Sequence, residues 1–296
     1  MRAWIVAAFT AAAFAAGCGS KEEGGSGGGA KVLRFSAIPD QNNTELKEKF
    51  DRVAAYLAAK LGVKVEYRAA RDYQASVEAF KNGDIQLAWF GGLTGVQARH
   101  AVKGARAIAQ GEEDPSFYSY FIAHKETGLT RSEEFPAAIA GLKFTFGAQD
   151  STSGRLMPEH FLRMATGRTM QEFFTTPPAF SQNHDQTAEL VQAGQFQAGV
   201  LNYAVYEKRV KEGRTDPEVC RIIWKTPPYP DYNFTAHPSL DRDFGAGFMD
   251  RLQKALLEMT DPVLLSAFPR KRLIAATNEQ FEPIAKVAAG LGFLRG

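Results

Sequence analysis

Short apolar runs alternate with amphipathic stretches along most of the chain, and this alternation predicts the elements. Residues 32–37 are an apolar run of strand length. Residues 44–61 then place Leu46, Phe50, Val53, Ala54, Leu57 and Leu61 at helical spacing before Gly62 stops the helix. Strands are expected at 63–67 and 85–90, around a short helix at 73–80 that ends in Asn82-Gly83. Residues 117–123 add an aromatic-rich strand. A second series follows: strand 142–147, helix 154–165, strand 173–176, helix 184–193 and strand 198–201. Residues 221–225 lead into a proline-rich segment, 226–232, and residues 244–259 and 281–291 are expected as helices.

Strand–helix–strand repetition implies right-handed crossovers and parallel pairing. The expected architecture is α/β: a two-lobed clamp in which each lobe is a mainly parallel sheet flanked by helices. Lobe I takes residues 31–120 and 233–296, and lobe II takes residues 121–232. The chain is expected to cross between them near 118–124 and again near 227–237.

Composition narrows the class. The 296 residues are 45% hydrophobic and 23% charged, as in a soluble globular protein with room for two domains. A mean hydropathy of −0.26 excludes a multi-span membrane protein. The 35 basic and 33 acidic residues nearly cancel and are spread along the chain, which argues against a nucleic-acid partner.

The N-terminus speaks to location. Arg2 precedes an apolar stretch, 3–16, that is too short to span a bilayer. It ends in Ala15-Ala16-Gly17-Cys18, which resembles the bacterial lipoprotein processing box, with Ala15 where leucine is usual. Residues 1–17 are therefore expected as a signal peptide, with Cys18 as the lipidated residue. The segment 18–30 is rich in Gly, Ser and charge, and is expected as a tether. Cys220 is then the one cysteine left besides Cys18, so a disulfide within the folded part is impossible.

Candidate chemistry gathers at three turns that leave predicted strands, where open α/β sheets bind ligands. The first is Ala37-Ile38-Pro39-Asp40-Gln41-Asn42. The second is Phe90-Gly91-Gly92-Leu93-Thr94, which opens a helix through Arg99. The third is Asp150-Ser151-Thr152-Ser153-Gly154. Glycines and hydroxyls at a helix opening leave backbone N–H groups accessible, and the helix dipole there favours negative charge. A helix cap needs one such residue, whereas this loop offers three hydroxyls and then glycine. Five or six charge-assisted hydrogen bonds at roughly 1.5–3 kcal/mol each, less ordering costs, reach the range of micromolar binding. The expected ligand is a small anion.

These motifs, together with Asp84-Ile85-Gln86-Leu87-Ala88-Trp89-Phe90-Gly91-Gly92 and Asn183-His184-Asp185, are similar to the phosphate/phosphite/phosphonate family of ABC-transporter binding proteins. The resemblance covers the whole mature region. Within the family, Ala37-Ile38-Pro39-Asp40 with Trp89-Phe90-Gly91-Gly92 most resembles a branch labelled selenate-binding. The resemblance implies a periplasmic-binding-protein clamp of the type II kind, with the oxyanion held by Ser151, Thr152, Ser153 and His184. It also implies a membrane permease as partner, and no cofactor or metal. Phosphonate and phosphite binders in this family tend to carry an acidic residue after the fifth strand of lobe II, where this chain has Asn202. A fully ionised tetrahedral dianion would be repelled by such a carboxylate by roughly 4 kcal/mol. Asn202 avoids that penalty, so a selenate- or sulfate-like ion is the expected ligand, with phosphonate, phosphite or phosphate as the alternative.

The expected site is Ser151, Thr152, Ser153, Gly154, His184, Asn202, Gly92, Leu93, Thr94, Pro39 and Asp40. The protein is expected to be an extracytoplasmic, lipid-anchored monomer that delivers its ligand; sensing for a membrane receptor is the other use of such a clamp. Catalysis is not expected. No Gly-x-Ser-x-Gly elbow stands at a strand-to-helix turn, and the five histidines lack metal-ligand spacing.

Overall fold

The computed structural model describes residues 31–294, apart from the side chains of residues 43–45. The expected signal peptide, Cys18 and the tether lie outside the described residues.

The chain begins in β1 (Val32–Ala37), α1 (Asn43–Leu61), β2 (Lys64–Tyr67), α2 (Tyr73–Lys81), β3 (Leu87–Phe90), α3 (Gly92–Ala101) and β4 (Arg106–Gly111). Strands β2, β1 and β3 pair in parallel, as the alternating pattern demands. The helices are set by local chemistry. In α2, Asp72 accepts the Ala75 N–H as N-cap, while Tyr73, Val77 and Phe80 face the core. Phe35, Phe50, Phe80, Phe90 and later Phe234, Phe248 and Phe268 fill that core, all at most 1% exposed.

The chain then enters the second lobe: β5 (Ser119–His124), β6 (Phe144–Phe146), α4 (Met157–Thr166), α5 (Met170–Phe173), β7 (Ala179–Phe180), α6 (His184–Gln192), β8 (Ala198–Asn202), α7 (Tyr203–Lys211) and β9 (Cys220–Lys225). It returns through β10 (Asn233–Ala236), α8 (Ser239–Phe244), α9 (Phe248–Leu257), α10 (Pro262–Leu265), β11 (Leu273–Ala275) and α11 (Glu282–Gly290). The first sheet runs β11-β4-β10-β3-β1-β2 and the second β7-β6-β8-β5-β9.

Both sheets are mixed, where mainly parallel sheets were expected. The parallel pairings form one half of each sheet, and in the other half β10 pairs antiparallel with β3 and β4, β11 with β4, and β5 with β8 and β9. The reason lies in the crossings: a strand that enters a sheet directly from the other lobe, as β5 and β10 do, has no crossover helix to impose parallel direction.

The crossings form a hydrogen-bonded pair. Phe117 and Tyr229 exchange both backbone hydrogen bonds at 2.9 Å, and the Asp231 N–H donates to the Asp114 carbonyl at 3.0 Å. The outgoing crossing lies upstream of residues 118–124, most of which form strand β5.

Three further elements differ from expectation. Residues 170–173 form α5, and the strand expected at 173–176 falls instead at Ala179–Phe180, past Pro177-Pro178, because proline removes ladder donors. The helix expected over 244–259 begins only at Phe248, as α9, because Gly245 and Gly247, with φ of 95° and 73° that no ordinary helix accommodates, separate it from α8. The helix expected from 154 begins as a π-helical turn, Thr152–Leu156, before α4.

Candidate functional site

The π turn is held in place by two glycines in backbone contact. The Gly147 N–H donates to the Gly154 carbonyl at 2.7 Å, and a Cβ on Gly154 would stand 2.9 Å from Gly147 Cα and 3.2 Å from His184 Cε1. Only glycine at 147 and 154 lets the end of β6, the turn and α6 meet. Ser151 accepts the Gly154 N–H at 2.9 Å as N-cap. Thr152 and Ser153 stand at the helical opening, where backbone N–H groups have no intrahelical acceptor. π turns of this kind recur at functional sites.

The loop meets lobe I at the head of α3, which has no capping side chain of its own. Thr152 Oγ1 accepts the Leu93 N–H at 2.9 Å, and Asp231 Oδ1 accepts the Gly92 N–H at 2.8 Å. A Cβ on Gly91 would lie 3.0 Å from Thr152 Oγ1 and 3.3 Å from Asp231 Oδ1, so glycine there lets three segments converge. The donors expected of Gly92 and Leu93 are thus directed to protein groups. The Thr94 hydroxyl is likewise spent, donating to the Gly91 carbonyl at 3.2 Å.

Four buried polar atoms around this loop have no hydrogen-bond partner: Ser153 Oγ, His184 Nε2, Tyr73 Oη and Asp231 Oδ2. An orphaned buried polar atom costs about 1–3 kcal/mol, so four around one loop mark a place built for a polar guest. His184 Nδ1 accepts the Asn202 N–H at 3.3 Å, which puts the ring proton on Nε2. Burial lowers the His184 pKa to about 4, with the Asp185 carboxylate opposing. The imidazole is therefore a neutral N–H donor. Burial, together with the Asp40 carboxylate, raises Tyr73 well above the usual phenol value, so its hydroxyl keeps its proton and can donate.

Asp231 is the counterpoint to these donors. Burial pushes its pKa up to about 7, partly offset by the Gly92 N–H. Asp40 is pushed up to about 6 by burial, against the hydrogen bond from Tyr232 at 2.8 Å. Tyr232 in turn accepts from the Asn202 amide at 3.0 Å, while the Asn202 carbonyl oxygen caps α7 through the Val205 N–H at 2.7 Å. Asn202 is thus committed to the protein on both ends. Pro39 lines a cleft of about 800 Å³ at the mouth between the lobes, together with Tyr73, Gln74, Asp150 and Asn183.

The fold brings Ser151, Thr152, Ser153, Gly154, His184, Asp40 and Asn202 into one buried region with the head of α3. Sequence reasoning missed Tyr73 and Asp231. Tyr73 follows a capping aspartate at a helix start, a weak signal. Asp231 stands in the proline-rich crossing, far along the chain from the turns it joins. No acidic residue directly follows β8, and Asp231 is a buried carboxyl supplied from another segment.

Two sheets joined by paired crossings, with orphaned donors buried where the lobes meet, define a solute-binding clamp. The profile of the family described as ABC transporter, phosphonate, periplasmic substrate-binding protein matches residues 35–281, and the chain belongs to that family. It is the substrate-binding component of an ABC importer, with a small ligand and a permease as partners, and not an enzyme. It is 37% identical over 272 residues to a probable ABC transporter phosphite binding protein, PhnD1, of Prochlorococcus marinus, covering 90% of this chain and 91% of that one. The structure of that organism's PhnD1 in complex with methylphosphonate superposes with a TM-score of 0.85 at 36% identity, covering 89% of this chain and 99% of the other. The phosphate-import protein PhnD of Mycolicibacterium smegmatis is 28% identical over 235 residues, 75% of this chain and 70% of its own length.

Proposed function

We propose that the protein captures a small phospho-oxyanion, phosphite or a short alkylphosphonate such as methylphosphonate, for import. The observation that carries this reading is Asp231, a buried carboxyl with an unpartnered oxygen beside Thr152 of the anion-cradling loop. A protonated phospho-oxyanion can donate a hydrogen bond to that oxygen. Ser153, Tyr73, His184 and the loop N–H groups supply donors for its remaining oxygens. Selenate and sulfate bring no proton at neutral pH, so the preference expected from Asn202 alone gives way to the phosphonate alternative. The names of the matched relatives support the same class. An aminoalkyl group would need a carboxylate of its own, and Asn202, already committed to Tyr232 and α7, offers none.

Calorimetry of the purified protein with phosphite, methylphosphonate, phosphate, selenate and sulfate near neutral pH tests this. Phosphite and methylphosphonate are expected to bind at micromolar Kd or tighter, about a hundredfold better than selenate. Tighter binding of selenate than of both would overturn the reading; phosphate as the tightest ligand would keep the protonated oxyanion and change the substrate.

The processing box at 15–18 supports a lipid anchor on Cys18, with residues 19–30 as the tether to the extracytoplasmic face. Labelling with radioactive palmitate is expected for the wild type and not for Cys18→Ser. Equal labelling of both would remove the anchor.

A further inference from the structure

The lobes also touch beside the anion-cradling loop, where the turn after β1 meets the heads of α6 and α7. There the His184 N–H donates to the Asp40 carbonyl at 3.0 Å. The Asn42 N–H, at the head of α1, donates to Asp185 Oδ2 at 3.1 Å, and Lys208 Nζ donates to Gln41 Oε1 at 3.0 Å. Residues 40–42 belong to the first lobe, while Asp185 and Lys208 belong to the second, so these bonds exist only when the clamp is shut.

Asp185 is held ready for this contact. Its other oxygen, Oδ1, takes the Arg209 guanidinium at 2.7 Å, and Arg209 is itself fixed by Thr215 at 3.0 Å and Glu189 at 3.1 Å. Asp185 is 6% and Arg209 2% exposed. A carboxylate placed at the first turn of a 19-residue helix also meets the positive end of its dipole. On opening, Oδ2 would give up the Asn42 N–H while the Arg209 pair within the second lobe stayed intact.

We infer that Asp185, positioned by Arg209 and assisted by Lys208–Gln41, is a closure latch that caps α1 across the lobe boundary and sets how long the bound anion is retained. The latch groups bond to protein partners, so the latch acts equally on any anion that the cleft accepts and does not depend on which one is natural. A latch made only after closure lengthens the bound lifetime and leaves the encounter rate alone.

Stopped-flow fluorescence of the purified protein tests this, with Trp89, stacked on Tyr232 at 5.6 Å, as the reporter and methylphosphonate and selenate as probes. Asp185→Asn is expected to raise koff about tenfold and Lys208→Met about threefold, with kon within twofold of wild type and the same factors for each probe that binds. Circular dichroism establishes which variants are folded. If Asp185→Asn does not fold, Lys208→Met decides alone. An unchanged koff in a folded variant, or a loss carried by kon, would overturn the latch. Failure of methylphosphonate with success of selenate would overturn the ligand reading and leave the latch measurable.

Discussion

Replacing Asp231 by asparagine is expected to reverse the anion preference, weakening methylphosphonate by about tenfold or more and strengthening selenate about a hundredfold. The argument follows the proton. The bound complex holds one proton between the Asp231 carboxyl and the ligand. Before the lobes close, an aspartate in water has a pKa of about 3.9, whereas a phosphate monoester loses its second proton at about 6. Near neutral pH the phospho-oxyanion therefore supplies the shared proton at about two pK units less cost, or roughly 2.7 kcal/mol, close to a hundredfold. Selenate must instead protonate Asp231 or face it charged. Asparagine donates from its amide and needs no proton, so the selenate penalty disappears. Methylphosphonate loses a charge-assisted bond worth about 1.5–3 kcal/mol and regains part of it from the amide.

The pH dependence carries the sign. Wild-type affinity for selenate is expected to fall as pH rises from about 4 towards the raised Asp231 value of about 7 and to level off above it, and the asparagine variant is expected to be flat throughout. Titration calorimetry of both proteins across that window is the measurement. An unchanged ranking of anions in the variant would remove Asp231 from selectivity.

The second large effect is expected at the crossings, where Asp114→Ala should lower stability by about 3–5 kcal/mol, the cost of leaving one partner of a buried ion pair alone. Arg270 reaches Asp114 through Nε and Nη2, at 2.6 Å for the shorter contact, and its Nη1 donates to the Phe268 carbonyl at 2.8 Å. The guanidinium lies 5.0 Å from the ring centres of both Phe117 and Tyr232, one from each crossing. Asp114 Oδ2 also accepts the Gly111 N–H at 2.7 Å. This one pair thus ties the lobe I sheet to both connections. With about 2–4 °C per kcal/mol for a protein of this size, the melting temperature should drop by about 10 °C. Adding Arg270→Met to Asp114→Ala should restore part of the loss, because the uncompensated charge goes with it. Differential scanning calorimetry of the single and double variants decides this, and a double variant less stable than the single would refute the account.

The route to these residues through the sequence was uneven. Elements whose signal is local were legible. α1 carries its apolar stripe at helical spacing, and α6 lies close to the expected 184–193, opened by Asn183, which accepts the Gln186 N–H. The loop 151–154 was legible for the same reason, since hydroxyls and glycine at a strand-to-helix turn have a chemical meaning before any fold is known. β4 and β10 were not. β4 is rich in small residues, and β10 takes its place only by pairing with β3 and β4 across more than a hundred residues of chain. Asn202 was legible as a polar end to β8, but its commitment to Tyr232 and α7 was not.

By itself, the sequence determined the α/β alternation, the two-lobed plan and the hydroxyl- and glycine-rich turn at 151–154, because periodicity, capping and glycine act over a few residues. The tertiary structure alone decided the antiparallel pairings in each sheet, the Asp114–Arg270 pair and the burial of Asp231 at the head of α3. Asp231 acquires its raised pKa only when segments from both lobes remove it from water, and that removal is a property of the closed fold.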